Sequence, residues 1–513
     1  MDEIGTVIST PESPSPGKID FVVTKGKIHK GQFVEIPYSE GTIIGMVDDV
    51  IKTNKYFERA DAVKEFESQG QKLFEQFPVH DWEYLMARIN PLGVFSEEKL
   101  KRTTFPPSPG SKVSIAEPKH ITQFLGFDEE KGMHLGKLEF HPVDVKLNLT
   151  RLLQKHFAVL AMSGAGKSHL ISCLLEELLE RKKEHGRIAI VVFDVHGEYT
   201  SFAEPAMDKK YHDYSNQTRI IRARDLKIGT PKLSTGMFAS LLPNASAPQK
   251  RELNKIITNL QQKMKEGFGP YDLQDIKTKL IEETASKETK DNVAQALLGW
   301  MNELQELYLF GKTDNPSLLD IIQPGILTIV DLSDIINQRK KQVIVSYLTN
   351  RVFQERRQKK IPPTVIVLEE AHQFIPQYTS KEGNISKNIM KTVAREGRKF
   401  GVSLCLISQR PVQLDTTTLS QCNTQLLLRI TNPNDIKHIG ESAEGLSSES
   451  LRMLNTLRVG EGVLIGEAVN APVFFKIRER KSQPSQHEKT LEKAGIEFEE
   501  KNKEETKEAE DLL

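Results

Sequence analysis

His156-Phe-Ala-Val-Leu-Ala-Met-Ser-Gly-Ala-Gly-Lys-Ser-His169 is the stretch of the sequence that decides the fold. Its apolar run, Phe157 to Ala161, has the composition of a buried parallel strand. A small glycine-bearing loop follows, and from Ser168 onward the chain has the pattern of an amphipathic helix. A strand, a glycine-rich loop, Lys-Ser and a helix, in this order, are the context of a phosphate-binding loop, or P loop. The stretch therefore predicts an α/β domain that binds a nucleotide.

The P loop also predicts which groups hold the phosphates. Backbone N–H groups and the positive end of the helix dipole would surround a polyphosphate. Lys167 would reach the β- and γ-phosphates, and Ser168 would ligate Mg²⁺. The strict pattern has glycine where this chain has Ala161, a residue small enough for close backbone approach. An ordinary glycine-rich turn is the alternative, and the combination of strand, Lys-Ser and helix argues against it. The predicted nucleotide-binding residues here are Ser163, Gly164, Ala165, Gly166, Lys167, Ser168 and His169.

Length and composition narrow the class of protein. A chain of 513 residues is too long for one core and should form two or three domains. Lys+Arg and Asp+Glu both number 70, so any nucleic-acid surface must be a local patch. The three cysteines have no metal-binding spacing, which favours buried thiols in a reducing compartment. The sequence has neither a basic leader nor an apolar run of about 18 residues, so we expect a cytoplasmic protein.

The N-terminal region has a different pattern. Short apolar runs separated by turn residues fill the first 50 or so positions, and similar runs return at 84–140 after a charged helical stretch at 56–77. Regularly spaced short strands predict a small β-barrel, which we place at residues 1–145. Such barrels serve in assembly or partner docking more often than in chemistry. A simple interaction domain stays open as the alternative.

A second buried strand begins at Ile188 and ends in the polar sequence Asp194-Val-His-Gly-Glu-Tyr. Ligands of parallel sheets bind at the carboxyl ends of strands, so Asp194, His196 and Glu198 are expected near the nucleotide. The alternative is a strand-end turn in which Asp194 caps the next helix.

Helical spacing without an intervening strand marks residues 245–310, with apolar periodicity over 248–265, 272–285 and 290–309. This pattern predicts a helical insertion in the sheet domain. Insertions of this kind serve packing or subunit contact more often than catalysis.

Two acidic residues follow the apolar run Thr364 to Leu368. An apolar strand that ends in carboxylates is the Walker B arrangement, and it lies about 200 residues after the P loop. Glu369 is the predicted ligand within the Mg²⁺ shell, and Glu370 is the predicted general base that polarises the attacking water.

The helix predicted at 385–400 carries two arginines three residues apart, Arg395 and Arg398. They share one helical face, and either could act as an arginine finger on a neighbouring subunit's γ-phosphate. A solvated basic helix end is the alternative. The next strand ends in Ser408-Gln-Arg-Pro, where Gln409 is the candidate sensor of the γ-phosphate.

Five motifs follow one another along the chain: Ser163-Gly-Ala-Gly-Lys-Ser, Phe193-Asp-Val-His-Gly-Glu-Tyr, Val367-Leu-Glu-Glu-Ala-His, Arg395-Glu-Gly-Arg-Lys and Ser408-Gln-Arg-Pro. In this order they resemble the motifs of HerA, the hexameric DNA-translocating ATPase family of archaea, within the HerA/FtsK branch of RecA-like motors. Val195 stands where the family often has proline. The resemblance implies a RecA-like core at residues 146–480, a hexameric ring on double-stranded DNA, ATP with Mg²⁺ or Mn²⁺, and a NurA-type nuclease docked on the barrel in DNA end resection.

Further expectations concern residues that could act at the nucleotide from outside the P loop. Lys155 precedes the first core strand at the end opposite its own P loop, which suits a role in a neighbouring subunit's site. The stretch Arg478 to Lys481 leaves the last strand and is expected to border the nucleotide base, with Arg480 and Lys481 as the candidate binding residues. The charged tail, 481–513, is expected to be exposed or to wrap a partner.

Two other classes of function stay open from the sequence. One is a nucleotide-gated scaffold, in which ATP holds a ring or docks a partner without driving movement on DNA. The other is a small-molecule kinase on the same fold, which gives no reason for the in-trans arginines or the barrel. The basic stretch 335–360 is equally compatible with a DNA contact and with a solvated helix face.

Overall fold

The computed structural model describes residues 3–54, 57, 60–68, 83–96, 99–242, 244–285, 292–378, 384–442, 448–485, 492, 495–496 and 498–500. Most of the tail and the second half of the helical stretch predicted at 56–77 lie outside these residues. The chain forms two compact units, 1–149 with 443–478, and 150–442 with 479–513. Within the described residues, no helix combines the length and the apolar character that a membrane crossing requires.

The strands are of two kinds: the regularly spaced strands expected of a barrel come early in the chain, and the apolar strands expected of a buried parallel sheet come later. In chain order they are β1 (Glu3–Val7), β2 (Ile19–Val23), β3 (Phe33–Tyr38), β4 (Gly41–Asn54), β5 (Glu83–Ser96), β6 (Lys99–Lys101), β7 (Lys112–Ile115), β8 (Met133–Leu138), β9 (Asp144–Leu147), β10 (Phe157–Leu160), β11 (Ala189–Asp194), β12 (Thr218–Arg222), β13 (Ile228–Gly229), β14 (Phe310–Gly311), β15 (Leu327–Asp331), β16 (Thr364–Leu368), β17 (Val402–Ser408), β18 (Thr424–Leu427), β19 (Glu461–Gly466) and β20 (Val473–Ile477).

Several helices begin directly after an N-cap residue whose side chain accepts a backbone hydrogen bond, such as Ser234, Ser246 and Asn337. In chain order they are α1 (Ala60–Ser68), α2 (Pro118–Leu125), α3 (Leu149–Leu153), α4 (Lys167–Leu179), α5 (Thr235–Leu241), α6 (Ala247–Lys265), α7 (Leu273–Ala285), α8 (Asn292–Glu306), α9 (Leu318–Ile321), α10 (Gln338–Arg357), α11 (Lys387–Phe400), α12 (Thr416–Leu419), α13 (Pro433–Ser442) and α14 (Ser448–Met453).

The first unit contains the predicted barrel. Its strands pair in the order β2-β1-β7-β3-β4-β5, and a β2–β5 pairing closes the sheet, with β6 added to β5. Inward-facing side chains such as Phe21, Val34 and Ile43 are fully buried and fill the barrel. Closure removes the free edges of the sheet, which stabilises a barrel of short strands. The barrel prediction is confirmed.

A second group of antiparallel strands belongs to the same unit, with the pairing order β19-β20-β8-β9. The sequence analysis placed all of 146–480 in the ATPase domain, whereas residues 443–478 fold with the N-terminal unit. The strand periodicity was visible in the sequence, but a pairing with strands more than 300 residues earlier was not.

The second unit has a parallel sheet in the order β12-β15-β11-β16-β17-β10-β18. Strands β10, β11, β16 and β17 are buried along their whole length, as their continuous apolar runs predicted. The predicted α/β class with a P-loop core is therefore confirmed. Helices α6, α7 and α8 lie between β13 and β14 in the chain and form the predicted helical insertion. Ser246 begins α6 with a capping box.

Candidate nucleotide-hydrolysis site

The P loop lies at the carboxyl end of β10, which is flanked by β17 and β18. Gly164 and Gly166 have φ values of 76° and 99°, in the left-handed region that glycine adopts without a steric penalty. Gly166 is the N-cap residue of α4, which begins at Lys167. The first N–H groups of a helix have no partner within the helix, and they coincide with its positive dipole end. The local backbone is thus built to accept a phosphate.

Lys167 contacts both Walker B carboxylates. Its Nζ donates a hydrogen bond of 3.1 Å to Glu370 Oε1 and lies 3.8 Å from Glu369 Oε1. Burial alone would lower the pKa of Lys167, but the charges of Glu369, Glu370 and Glu198 outweigh it and raise that pKa. Lys167 is therefore a buried, ionised lysine that neutralises the acidic cluster.

Glu369 is fully buried, and its Oε2 accepts hydrogen bonds from the backbone N–H of Val195 (2.7 Å) and of His196 (3.1 Å). Burial, followed by the charges of Asp194 and Glu198, raises the pKa of Glu369 well above its ordinary value. Among the residues that the structure describes, Glu369 Oε1 has no hydrogen-bond partner. A buried carboxylate oxygen without a donor suits a divalent cation, which would also favour the ionised form.

Oxygen ligands are the kind that Mg²⁺ prefers. The Ser168 hydroxyl and the Glu369 carboxylate are the two oxygen groups that the sequence assigned to the metal. Ser168 Oγ donates a hydrogen bond to Glu198 Oε2, so the hydroxyl already lies among the acidic side chains. Ligand atoms of His196, Glu369 and Glu370 lie within 4.8 Å of one another. The residues present therefore fit a Mg²⁺ or Mn²⁺ ion.

Glu370 occupies a left-handed backbone conformation, with φ 46° and ψ 47°. A non-glycine residue pays a conformational cost there, of about 1 kcal/mol or more, and such residues cluster at functional sites. Gln409 Nε2 donates a 2.7 Å hydrogen bond to Glu370 Oε1, the same oxygen that Lys167 contacts. The predicted base and the predicted sensor are thus in direct contact.

His372 is a site residue that the sequence analysis did not select. Its Nδ1 lies 3.2 Å from Glu370 Oε2 and 3.2 Å from Ser408 Oγ. Burial lowers the pKa of His372, which favours the neutral imidazole. The signal was present in the motif Glu-Glu-Ala-His, because His372 comes two residues after Glu370.

Asp194 holds the turn that follows β11. Its carboxylate accepts hydrogen bonds from the backbone N–H of Gly197 (2.7 Å), Glu198 (3.1 Å) and Tyr199 (2.9 Å). The alternative of a strand-end turn thus describes Asp194. The same turn carries Glu198 to Ser168, and it places His196 Nε2 4.0 Å from Glu370 Oε1. Glu198 therefore contacts the P loop and His196 lies near Glu370, and the approach of these side chains to a nucleotide stays a prediction.

The other predicted residues lie apart from this cluster. Arg395 and Arg398 are exposed on α11, and Arg395 Nε donates to the Lys391 carbonyl of its own helix. Lys155 precedes β10, at the opposite end of the strand from the P loop. Lys481 Nζ pairs with Glu177 and Glu180 along the flank of α4, and Arg480 Nε donates to the Ser482 carbonyl. Their roles at a nucleotide stay predictions.

The P loop follows β10, the Walker B carboxylates follow β16, and Gln409 follows β17, which lies between those two strands in the sheet. This arrangement defines a P-loop ATPase with a RecA-like core. Residues 133–352 match the family model described as Helicase HerA, central domain. The resemblance to HerA that the motifs predicted is confirmed.

Relatives agree along most of the chain. A probable helicase of Methanocaldococcus jannaschii is 28% identical over 465 residues, which cover 87% of this chain and 86% of that one. The DNA double-strand break repair helicase HerA of Sulfurisphaera tokodaii is 26% identical over 483 residues, covering 89% and 90%. Among solved structures, VirB4 of Thermoanaerobacter pseudethanolicus shares the fold, with a TM-score of 0.52 and 14% identity over 69% of this chain and 97% of that chain.

Proposed function

We propose that this chain is an ATP-driven translocase of double-stranded DNA that acts as a hexameric ring in DNA double-strand break repair. The observation that carries the proposal is the contact of Glu370 with both Lys167 and Gln409. A base that touches both the P-loop lysine and a strand-end glutamine can link the state of the nucleotide to the rest of the subunit. The relatives named as DNA double-strand break repair helicases support the choice of DNA as the substrate.

The reaction is hydrolysis of ATP. Backbone N–H groups of the P loop bind the phosphates, and Lys167 leaves Glu370 to contact the β- and γ-phosphates. Ser168 and Glu369 would hold Mg²⁺, which when bound neutralises charge on the phosphate oxygens. Glu370, freed from the lysine, orients the attacking water. Gln409 shares an oxygen of Glu370 and relays loss of the γ-phosphate to the end of β17.

The active site is completed by a neighbouring copy of the chain. Arg395 is the proposed finger that stabilises charge on the transferring phosphoryl group, with Arg398 as the second candidate. Both guanidinium groups are exposed and lie on a helix that follows the Walker B strand in the chain. Lys155 is a further in-trans candidate, and Arg480 and Lys481 are proposed to border the base.

The remaining parts of the proposal concern partners. The closed N-terminal barrel is the proposed docking surface for a NurA-type nuclease, with which the ring would resect DNA ends. Basic side chains would hold the DNA backbone with little sequence preference and with an affinity that falls as salt rises. The cytoplasm is the proposed location, because the proposed substrate is DNA.

Steady-state ATP hydrolysis with and without linear double-stranded DNA, with oligomer mass recorded in the same buffer, tests the proposal. We expect stimulation by DNA in a species of hexameric mass. Slow turnover that ignores DNA, with and without an added candidate nuclease, would favour the nucleotide-gated scaffold instead.

A further inference from the structure

Residues 479–485, which we call the C-terminal strap, contact α4, the helix that begins at the P loop. Glu176 of α4 is fully buried, and its Oε1 accepts 2.8 Å hydrogen bonds from the backbone N–H of Lys481 and of Ser482, and a 2.7 Å bond from Ser482 Oγ. A buried carboxylate needs such donors, since an unpaired one is costly. The strap is thereby anchored to α4.

A second set of hydrogen bonds joins the strap to residues 201–207, which follow the turn after β11. Ser201 Oγ donates a 3.0 Å hydrogen bond to the Gln483 carbonyl. The Gln483 side chain donates to the Pro205 carbonyl (3.2 Å) and accepts from the Met207 N–H (3.1 Å). Gln483 is only 8% exposed, so its amide is committed to these partners.

The third anchor reaches the turn itself. Ser485 is 4% exposed, and its Oγ donates a 3.1 Å hydrogen bond to the Gly197 carbonyl. Gly197 belongs to the turn that Asp194 holds, and the next residue, Glu198, accepts a hydrogen bond from Ser168 Oγ. The carbonyl bound by the strap and the side chain bound to the P-loop serine thus belong to adjacent residues.

We propose that the C-terminal strap positions the turn Asp194–Tyr199, and through Glu198 the Ser168 hydroxyl, with Ser485 as the positioning residue. The same contacts correct the expectation of an exposed tail for its first residues, since Ser482, Gln483 and Ser485 are buried. The proposal rests on the proposed function only in that the P loop binds a nucleotide. It links residues 479–485 to the ATPase site through the turn.

Two serines of the strap form a matched pair for the test. Ser485→Ala removes the strap's hydroxyl donor to the Gly197 carbonyl and leaves that carbonyl with the Thr200 hydroxyl, which is local to the turn. Ser482→Ala removes a donor to Glu176 but leaves the strap attached there through two backbone N–H groups. Both side chains are buried, at 4% and 1% exposure, and both lose one hydroxyl. Hydrogen exchange of the Gly197, Glu198 and Tyr199 amides in nucleotide-free protein is the first readout. Binding of a fluorescent ATP analogue with and without Mg²⁺ is the second.

We expect Ser485→Ala to speed exchange of the turn amides about fivefold, which corresponds to loss of one hydrogen bond. It should also weaken Mg²⁺-dependent nucleotide binding several-fold while binding without Mg²⁺ is unchanged. Ser482→Ala should leave both readouts near those of the wild type. Ser485→Cys, a nearly isosteric change with a weaker donor, gives the same comparison where the alanine variant does not fold.

Unchanged exchange at the turn in the Ser485 variants would overturn the proposal, as would equal effects of the two alanine changes. Neither readout requires DNA or turnover. A chain that binds nucleotide without moving on DNA would therefore defeat the proposed function and still give a clear result for the strap.

Discussion

Lys167 and Glu370 are hydrogen-bonded, Nζ to Oε1 at 3.1 Å, and each of these two residues is at most 5% exposed. The P-loop lysine and the proposed general base are thus paired with each other. A γ-phosphate would compete with Glu370 for the lysine, and its binding would release the carboxylate to a water molecule. This arrangement would couple the freedom of the proposed base to binding of the substrate.

Lys167→Ala should reduce ATP turnover by at least about 100-fold, because both the phosphate contact and the ammonium charge beside Glu369 and Glu370 are lost. Nucleotide affinity should fall as well, and turnover and binding measured together will show both effects. Lys182→Ala is the matched control, since Lys182 is an exposed lysine just beyond the end of the same helix. A Lys167→Ala variant with wild-type turnover would contradict the assignment.

Glu370→Gln should bind ATP and Mg²⁺ yet hydrolyse it at least about 100-fold more slowly, because the amide cannot accept a proton from water. Equilibrium binding and a single-turnover assay separate these two properties. Retained hydrolysis would remove Glu370 as the base and move attention to Glu369.

Gln409→Ala removes the 2.7 Å hydrogen bond to Glu370 and leaves the Lys167 contact in place. We expect basal turnover to fall less than in Glu370→Gln, and stimulation by DNA to be lost, because the glutamine links the base to the end of β17. Basal and DNA-stimulated rates, measured side by side, test this. A variant whose stimulation ratio equals that of the wild type would rule out the relay.

Arg395→Ala should lower turnover by about 10³-fold if the arginine acts as a finger. Mixing this variant with Lys167→Ala subunits creates interfaces that combine an intact P loop with an intact arginine, so turnover should partly recover on mixing. The same pair of experiments on Arg398→Ala decides between the two arginines. No recovery on mixing would place the residue's role within its own subunit.

His156 makes stability depend on pH. Its Nδ1 accepts from the Leu404 N–H at 2.9 Å, its Nε2 donates to the Ala394 carbonyl, and burial lowers its pKa from 6.5 to about 4. The unfolded chain therefore binds a proton at His156 that the folded chain excludes, so the contribution of His156 to stability is full above about pH 6.5 and is lost as the pH falls toward 4. The loss approaches about 3 kcal/mol.

The comparison with His156→Asn isolates this contribution, because asparagine does not titrate. Denaturant unfolding at pH 7.5 and at pH 4.5 should show a larger loss for the wild type than for the variant. Equal losses would show that His156 is not the group responsible.

The sequence predicted the parts of the site that a local pattern encodes. The P loop, the Walker B pair and Gln409 each follow an apolar run, and the parallel sheet brings those strand ends to one edge. Glu176 shows where such reasoning stops. It lies in the run Leu174-Leu175-Glu176-Glu177-Leu178-Leu179, and nothing local indicates that it is buried against backbone donors about 300 residues later. The strap and the placement of 443–478 both depend on such distant packing.

Displacement of a third strand from a linear DNA duplex tests the central claim most directly, since a motor that moves along double-stranded DNA must remove an oligonucleotide bound in its groove. We predict displacement by the wild-type chain with ATP and Mg²⁺, and none with a non-hydrolysable analogue or with Glu370→Gln. ATP hydrolysis by the assembled protein on that DNA without displacement would contradict the account.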